Sequence, residues 1–372
     1  MRKLSYLVIS LLVILISCSE DSTAPNDTGN DTIEKMRKTV DSLMENTHIP
    51  GIVIGIWAPE NDISWVYTAG YSNLQDSTPM ADNLLFRIGS NTKTMTITVL
   101  LQLVDEGLLS LSDKLSKFFP EYPLADSITV EMLCDMTSGY FDYASVLDFF
   151  DKLDSDPKKV WTPEELIEKG IQQQMYFSPG QGWHYSNTNT TIIGLIIEQL
   201  TQKSLEENIH SRIFDVLGLS NIYFPTSGTD FPTDNFYHGY YMEELTPEPF
   251  DYSEYYDISW AWAAGAVISD LYDLKIYVEA LIKGGLISDS LQQKRLNCKN
   301  QVNSFLTYGL GMMNNNGFRG HNGGIMGYNS FMAHNPEKNC TVIIFINCFL
   351  MEIKVDEVYQ LLAGTIYPEL KW

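Results

Sequence analysis

The chain has 372 residues, 44% of them hydrophobic and 19% charged, a balance that suits one large domain or two closely packed ones and argues against disorder over the main body. Its formal net charge of −23 repels polyphosphate and so argues against nucleic acid as a partner; the acidity reads first as a means to solubility. The cysteines form no CxxC and no His/Cys cluster with zinc spacing.

The first residues, MRKLSYLVISLLVILISCSE, begin basic and run apolar from Leu4 to Ile16, short for a membrane span and right for a secretory signal. Leu15-Ile16-Ser17-Cys18 looks like a bacterial lipobox. That likeness implies loss of residues 1–17, lipidation of Cys18 and a place in the bacterial cell envelope, anchored to the outer membrane or facing the periplasm. Secretion as a soluble protein is the alternative. Residues 18–31 are polar and carry Gly and Pro, a flexible tether.

From residue 32 to 372 the pattern is that of one domain. A helix is expected from Asp31, with Glu34 as its capping-box partner and Ile33, Met36, Val40 and Leu43 on one face. Ile49–Trp57 and Ser64–Thr68 read as strands about a Pro59-Glu60-Asn61-Asp62 turn. Ser90–Glu106 reads as a helix apolar on nearly every face, and so a core helix, ended by Gly107. A mainly helical insertion follows, about residues 101–255, with helices signalled at Thr162, Thr188–Thr201 and Leu205–Leu217; residues 223–258 show no period. After a helix beyond Ser269 come strands at Gly317–His321, Tyr328–His334 and Cys340–Cys348, then a closing helix through Val355, Val358, Leu362 and Ile366. Strands at both ends around a helical block predict an α+β fold, one antiparallel sheet built from both chain ends and flanked by helices. Cys340 and Cys348, about 26 Å apart on one strand, cannot bond each other, and the pairing of Cys298 stays open.

Three elements carry chemistry. In Phe86-Arg87-Ile88-Gly89-Ser90-Asn91-Thr92-Lys93, Ser90 and Lys93 lie one helical turn apart. The helix N-terminus favours a developing oxygen charge, and burial lowers the lysine pKa toward that of a usable base. Ser155-Asp156-Pro157-Lys158 repeats the spacing in a polar stretch that reads as surface. In Tyr185-Ser186-Asn187 a phenol can pass a proton to a leaving group while the Asn187 amide orients substrate; Tyr71-Ser72-Asn73 is its counterpart at a strand end. His321-Asn322-Gly323-Gly324 places a donor side chain on a strand, with glycines admitting a substrate backbone and the Gly324 N–H joining that of Ser90 as an oxyanion donor.

Together, in this order and 95 and 136 residues apart, Ser90, Tyr185 and His321 give the chain a pattern that resembles the serine β-lactamase and penicillin-binding protein superfamily. It looks most like the D-alanyl-D-alanine carboxypeptidases and class C β-lactamases, and the likeness extends through residues 101–122, TSGYFDY (137–143), PGQGWHYSNTN (179–189) and SWAWAAGAVISD (259–270). The resemblance implies a serine acyl-transfer hydrolase without metal or organic cofactor, first of all a D-alanyl-D-alanine carboxypeptidase acting on peptidoglycan-type peptides through a Ser90 acyl-enzyme. Ser90 attacks, Lys93 and Tyr185 handle protons, Asn187 and His321 hold the site, and Trp260 and Phe141 line the groove. It also implies D-Ala-D-Ala-type peptides or related acyl compounds as substrates and β-lactams as ligands.

The pattern departs from the carboxypeptidases at Asn322, where they carry a hydroxyl residue, and at Met312-Met313, where some carry an arginine. The segment Cys134-Asp135-Met136-Thr137 also lacks the His common before Thr-Ser-Gly. Arg319, on the same side of its strand as His321, is the expected substitute anchor for a terminal carboxylate. Alternative readings are an esterase, a class C-like β-lactamase, or a non-catalytic peptidoglycan-binding or sensing lipoprotein.

Overall fold

The computed structural model describes residues 28–241, 249–349 and 354–370; the signal, the lipobox and Cys18 lie outside them. The first helix, α1, spans Thr28–Asn46 and so starts three residues before the expected Asp31. Asp31 stands in its first turn, where a carboxylate suits the helix dipole, and Glu34 pairs with Arg37 rather than closing a capping box.

Strands β1 (Gly51–Ala58), β2 (Ile63–Asn73) and β3 (Thr78–Pro79) follow. Helix α2 (Thr92–Asp105) is the apolar core helix; Met95, Ile97, Val99, Leu100, Leu101 and Leu103 have no exposed surface. It begins two residues beyond Ser90, which sits in a tight 3-10 turn, Gly89–Asn91. The insertion carries α3 (Pro163–Ile171), capped by Thr162 with Glu165 as predicted, and α4 (Asn187–Thr201). Helix α5 (Leu271–Lys283) leads into β4 (Asn300–Gln301), β5 (Leu306–Tyr308), β6 (Met313–Asn315), β7 (Phe318–Ile325), β8 (Tyr328–Asn335) and β9 (Cys340–Ile346), and α6 (Val355–Ile366) follows.

These strands form one nine-stranded sheet in the order β3-β2-β1-β9-β8-β7-β6-β5-β4. The two chain ends meet where β1 pairs antiparallel with β9, Ile54 opposite Ile344. Period-two alternation divides the side chains between two cores. Ile52, Ile54, Val342 and Ile344 face Met36, Val40, Val358 and Leu362 of α1 and α6. Val53, Ile343 and Phe345 share a cluster with α5 and the helical block.

Among its described residues, the segment without period, 223–258, holds the short strands Tyr240–Tyr241 and Phe250–Asp251. Tyr240–Tyr241 is the middle strand of a small sheet, parallel to Cys348–Phe349 on one side and antiparallel to Phe250–Asp251 on the other. The four cysteines among the described residues are buried and free, so Cys298 pairs with neither Cys340 nor Cys348.

Candidate active site

Ser90 stands on a turn wedged against β7. Gly89 has φ +53°, and a side-chain carbon there would lie 3.0 Å from the Gly324 carbonyl oxygen and 3.1 Å from its nitrogen. Gly323 packs as closely: a Cβ would sit 2.0 Å from the Ile88 carbonyl oxygen. Asn91 fastens the turn from behind by donating to Ile88 O (3.0 Å) and Ser330 Oγ (2.7 Å). Strand β7 pairs with β6 over Phe318–Gly320, so among the described residues its edge from His321 to Ile325 has no strand partner on that side.

Lys93, one turn into α2, is fully buried and donates from Nζ to Ser90 Oγ (2.9 Å) and to the Ala264 carbonyl (2.7 Å). Burial lowers its pKa to about 7, opposed only by the Asp142 carboxylate. The ammonium also lies 4.9 Å from the centre of the Tyr185 ring. Burial raises the Tyr185 pKa, and Ser90 is close enough to pull it back. Even so, the phenol oxygen has no partner at ordinary hydrogen-bond distance. It is a buried donor close to the serine.

His321 turns inward from the cavity. Its Nδ1 lies 2.5 Å from the Asn322 carbonyl, an atom that only accepts, so Nδ1 carries the proton and Nε2 accepts from the Tyr308 hydroxyl (3.1 Å). Burial and the nearby Lys93 charge depress its pKa to about 3, which keeps the ring neutral. With both nitrogens engaged and 1% of its surface exposed, His321 has no donor left for substrate; it packs 6.0 Å from the Tyr185 ring instead.

Alternation along β7 turns Asn322 to the far face, where its amide donates to Asp356 of α6 (2.7 Å). Arg319 does share the face of His321, but it reaches only the Gly317 carbonyl (3.4 Å) and lies outside the lining of the cleft. Phe141 lies outside it too: the ring stacks on Tyr176, and its carbonyl accepts from Ser186 and Thr188.

A cavity of about 460 Å³ opens beside Ser90 and is lined by Asn187, Trp260 and Gly324 among others. Asn187 begins α4 and donates from both its backbone and side-chain nitrogens to Asp142 Oδ1, each at 3.0 Å. Asp142, 7% exposed, was not singled out from the sequence, nor were Tyr308 and Ala264. Asp142 and Ala264 lie in stretches the family likeness covers, but a carboxylate that acts by holding an amide and facing a buried amine leaves no spacing signature. The counterparts separate as expected. Ser155 and Lys158 are exposed and bond only backbone carbonyls, and Ser72 is spent on Thr78 and Pro79.

The family model described as Beta-lactamase matches residues 36–364. The chain belongs to the Beta-lactamase family. Within that family it is 26% identical over 327 residues to penicillin-binding protein 4* of Bacillus subtilis, covering 82% of this chain and 70% of that one. It is 23% identical over 328 residues to protein flp of Staphylococcus aureus, covering 86% of this chain and 64% of that protein, so it spans about two thirds of these relatives' length. Among solved structures, a D-stereospecific amidohydrolase from Streptomyces sp. superposes with a TM-score of 0.78 at 26% identity, covering 89% of this chain and 97% of that one. The α+β fold is that of the β-lactamase and penicillin-binding enzymes, and the chain is a serine hydrolase of that superfamily.

Proposed function

We propose that the chain hydrolyses amides or esters through an acyl-Ser90 intermediate. The observation that carries this reading is a fully buried amine fixed 2.9 Å from a serine hydroxyl at the edge of a cavity, where burial lowers its pKa. As the free base, Lys93 still donates to Ala264 and turns its lone pair to the Ser90 proton. The serine oxygen then attacks the acyl carbonyl, whose oxygen faces the backbone amides of Ser90 and Gly324. The Tyr185 hydroxyl gives its proton to the departing amine or alcohol and is resupplied from Lys93. Water reverses the sequence and frees Ser90.

The D-alanyl-D-alanine carboxypeptidase reading shares this chemistry but calls for a cation facing the terminal carboxylate. No lysine or arginine is among the described residues that line the cavity. Amide or ester hydrolysis is therefore the favoured form, and the likeness to a protein titled a D-stereospecific amidohydrolase supports it. β-Lactams fit as acylating ligands of the same serine.

A fluorescent penicillin tests the acyl-enzyme directly. Covalent labelling that disappears in Ser90→Ala is expected. Reversible muropeptide binding with no labelling, and no turnover of a nitrophenyl ester, would mean a sensing module in place of an enzyme. Assayed in parallel, an amide and an ester should turn over faster than a D-Ala-D-Ala peptide or a cephalosporin. We also propose attachment to the cell envelope through a lipid on Cys18; Cys18→Ala should then move the protein from the membrane fraction to the soluble one.

A further inference from the structure

The carbonyl that holds Lys93 hangs from a strained piece of backbone. Trp262, two residues before Ala264, has φ +28°, where its β-carbon crowds the chain, and only 5% of its surface is exposed. It opens a single helical turn, Trp262–Gly265, which together with Val267 just beyond it is gripped by α2 at three points. The Ala263 carbonyl accepts from Thr96 Oγ1 (2.8 Å), the Ala264 carbonyl accepts from Lys93 Nζ (2.7 Å), and the Val267 nitrogen donates to Thr92 Oγ1 (3.1 Å).

A conformation of this kind persists only where its surroundings over-determine it. The indole supplies that constraint by filling a notch in α4. Gly194 lies in the middle of that helix, and a Cβ there would stand 2.7 Å and 2.8 Å from Cζ3 and Cη2 of Trp262 and 3.0 Å from the Ala263 Cβ. Glycine at a helix centre weakens the helix, so what it offers here is room. Neither Trp262 nor Gly194 is among the residues lining the cavity beside Ser90, so the pair acts on the site through the backbone.

Resting on the acyl-Ser90 reading, we propose that Trp262 is a positioning residue for the base: its indole, seated on Gly194, turns the backbone so that the Ala264 carbonyl meets Lys93 Nζ and aims the amine at Ser90. As the free base, Lys93 keeps one N–H on that carbonyl, and its lone pair stays toward the serine proton. As the ammonium it bonds the same acceptor, which favours the charged form. Asp142 is the carboxylate that faces Lys93, and the Tyr185 ring and the neutral His321 lie beside it. The three atoms nearest a Cβ at Gly194 belong to none of these groups.

Gly194→Ala tests this by pushing the indole from its seat. With nitrophenyl acetate, kcat should fall about tenfold while KM stays nearly unchanged. The rising limb of the pH–rate profile should move to lower pH, because the ammonium loses its acceptor. Gly194→Ala combined with Trp262→Phe, which lacks the two ring carbons that the added methyl meets, should recover most of the rate. A parent-like rate in Gly194→Ala, a loss of rate with the limb unmoved, or no recovery in the double variant overturns the proposal. If the parent neither cleaves the ester nor takes the penicillin label, the acyl-Ser90 reading has failed by itself. Thermal unfolding at pH 7 then decides the placement of the carbonyl alone: Gly194→Ala should lower Tm by about 2 °C more in the parent than in Lys93→Met. Equal shifts in the two backgrounds overturn it.

Discussion

At the scale of single residues, Lys93 concentrates the consequences. A base must be unprotonated to accept the serine proton, so kcat/KM for a neutral ester should rise with pH through about 7 and level off above it. The stability effect has a definite sign. An unfolded lysine titrates near 10.4, so between about 7 and 10.4 the unfolded chain binds more protons and stability increases with pH. Lys93→Met should abolish turnover, yet at pH 7 it should stabilise the fold by about 1–4 kcal/mol, since a buried charge is replaced by a side chain of similar volume. Thermal unfolding at pH 7 and pH 10 checks this; the difference from the parent should shrink at the higher pH. Asp142 supplies the opposing influence. Asp142→Asn retains an acceptor for Asn187 but removes the charge facing Lys93, so the rising limb of the pH–rate profile should move to lower pH. A purely structural residue would lower the rate and leave the midpoint where it was.

At the scale of elements, β7 does two jobs with its two faces. Gly323 lets the strand approach the Ser90 turn, and Gly323→Ala forces a Cβ to within 2.0 Å of the Ile88 carbonyl unless the turn moves. A shift near 1 Å at the nucleophile is expected to lower kcat about a hundredfold, with binding of an apolar product less affected. Asn322 works on the opposite face, tying β7 to α6 through Asp356, whose pKa burial already raises. Asn322→Ala should lower stability by about 1–3 kcal/mol by leaving that carboxyl unpaired, with KM nearly unchanged. Denaturant unfolding and steady-state kinetics on the one variant separate the two effects. The same alternation explains two expectations from the sequence. The motif His321-Asn322-Gly323-Gly324 was legible as a strand. Its residues do not act as one group turned to the substrate, because neighbours on a strand point to opposite faces.

For the molecule as a whole, the sheet is closed by both chain ends, so its stability depends on segments far from the site. Met36 and Val40 of α1 are buried to 1% or less against the outer face, each contributing roughly 1.5–3 kcal/mol. Removal of residues 1–27 should leave a folded protein, whereas removal through Asn46 exposes that face and should give an insoluble or partly unfolded chain by circular dichroism and gel filtration. Local order in the chain was enough to establish much of this: the apolar α2, the β1–β2 and β8–β9 strands, the capped α3, and the pairing of Ser90 with Lys93, because helix and strand periods and an i, i+3 spacing are properties of neighbouring residues. Only the tertiary structure decided what distant segments do to one another. It turned His321 inward onto Tyr308, sent Arg319 away from the cleft, brought Asp142 to Asn187 and Lys93, and set Tyr241, Tyr252, Tyr256 and Asp154 around the cavity beside the serine. Those outcomes depend on which faces pack and how low the local dielectric becomes, quantities that no stretch of sequence contains on its own.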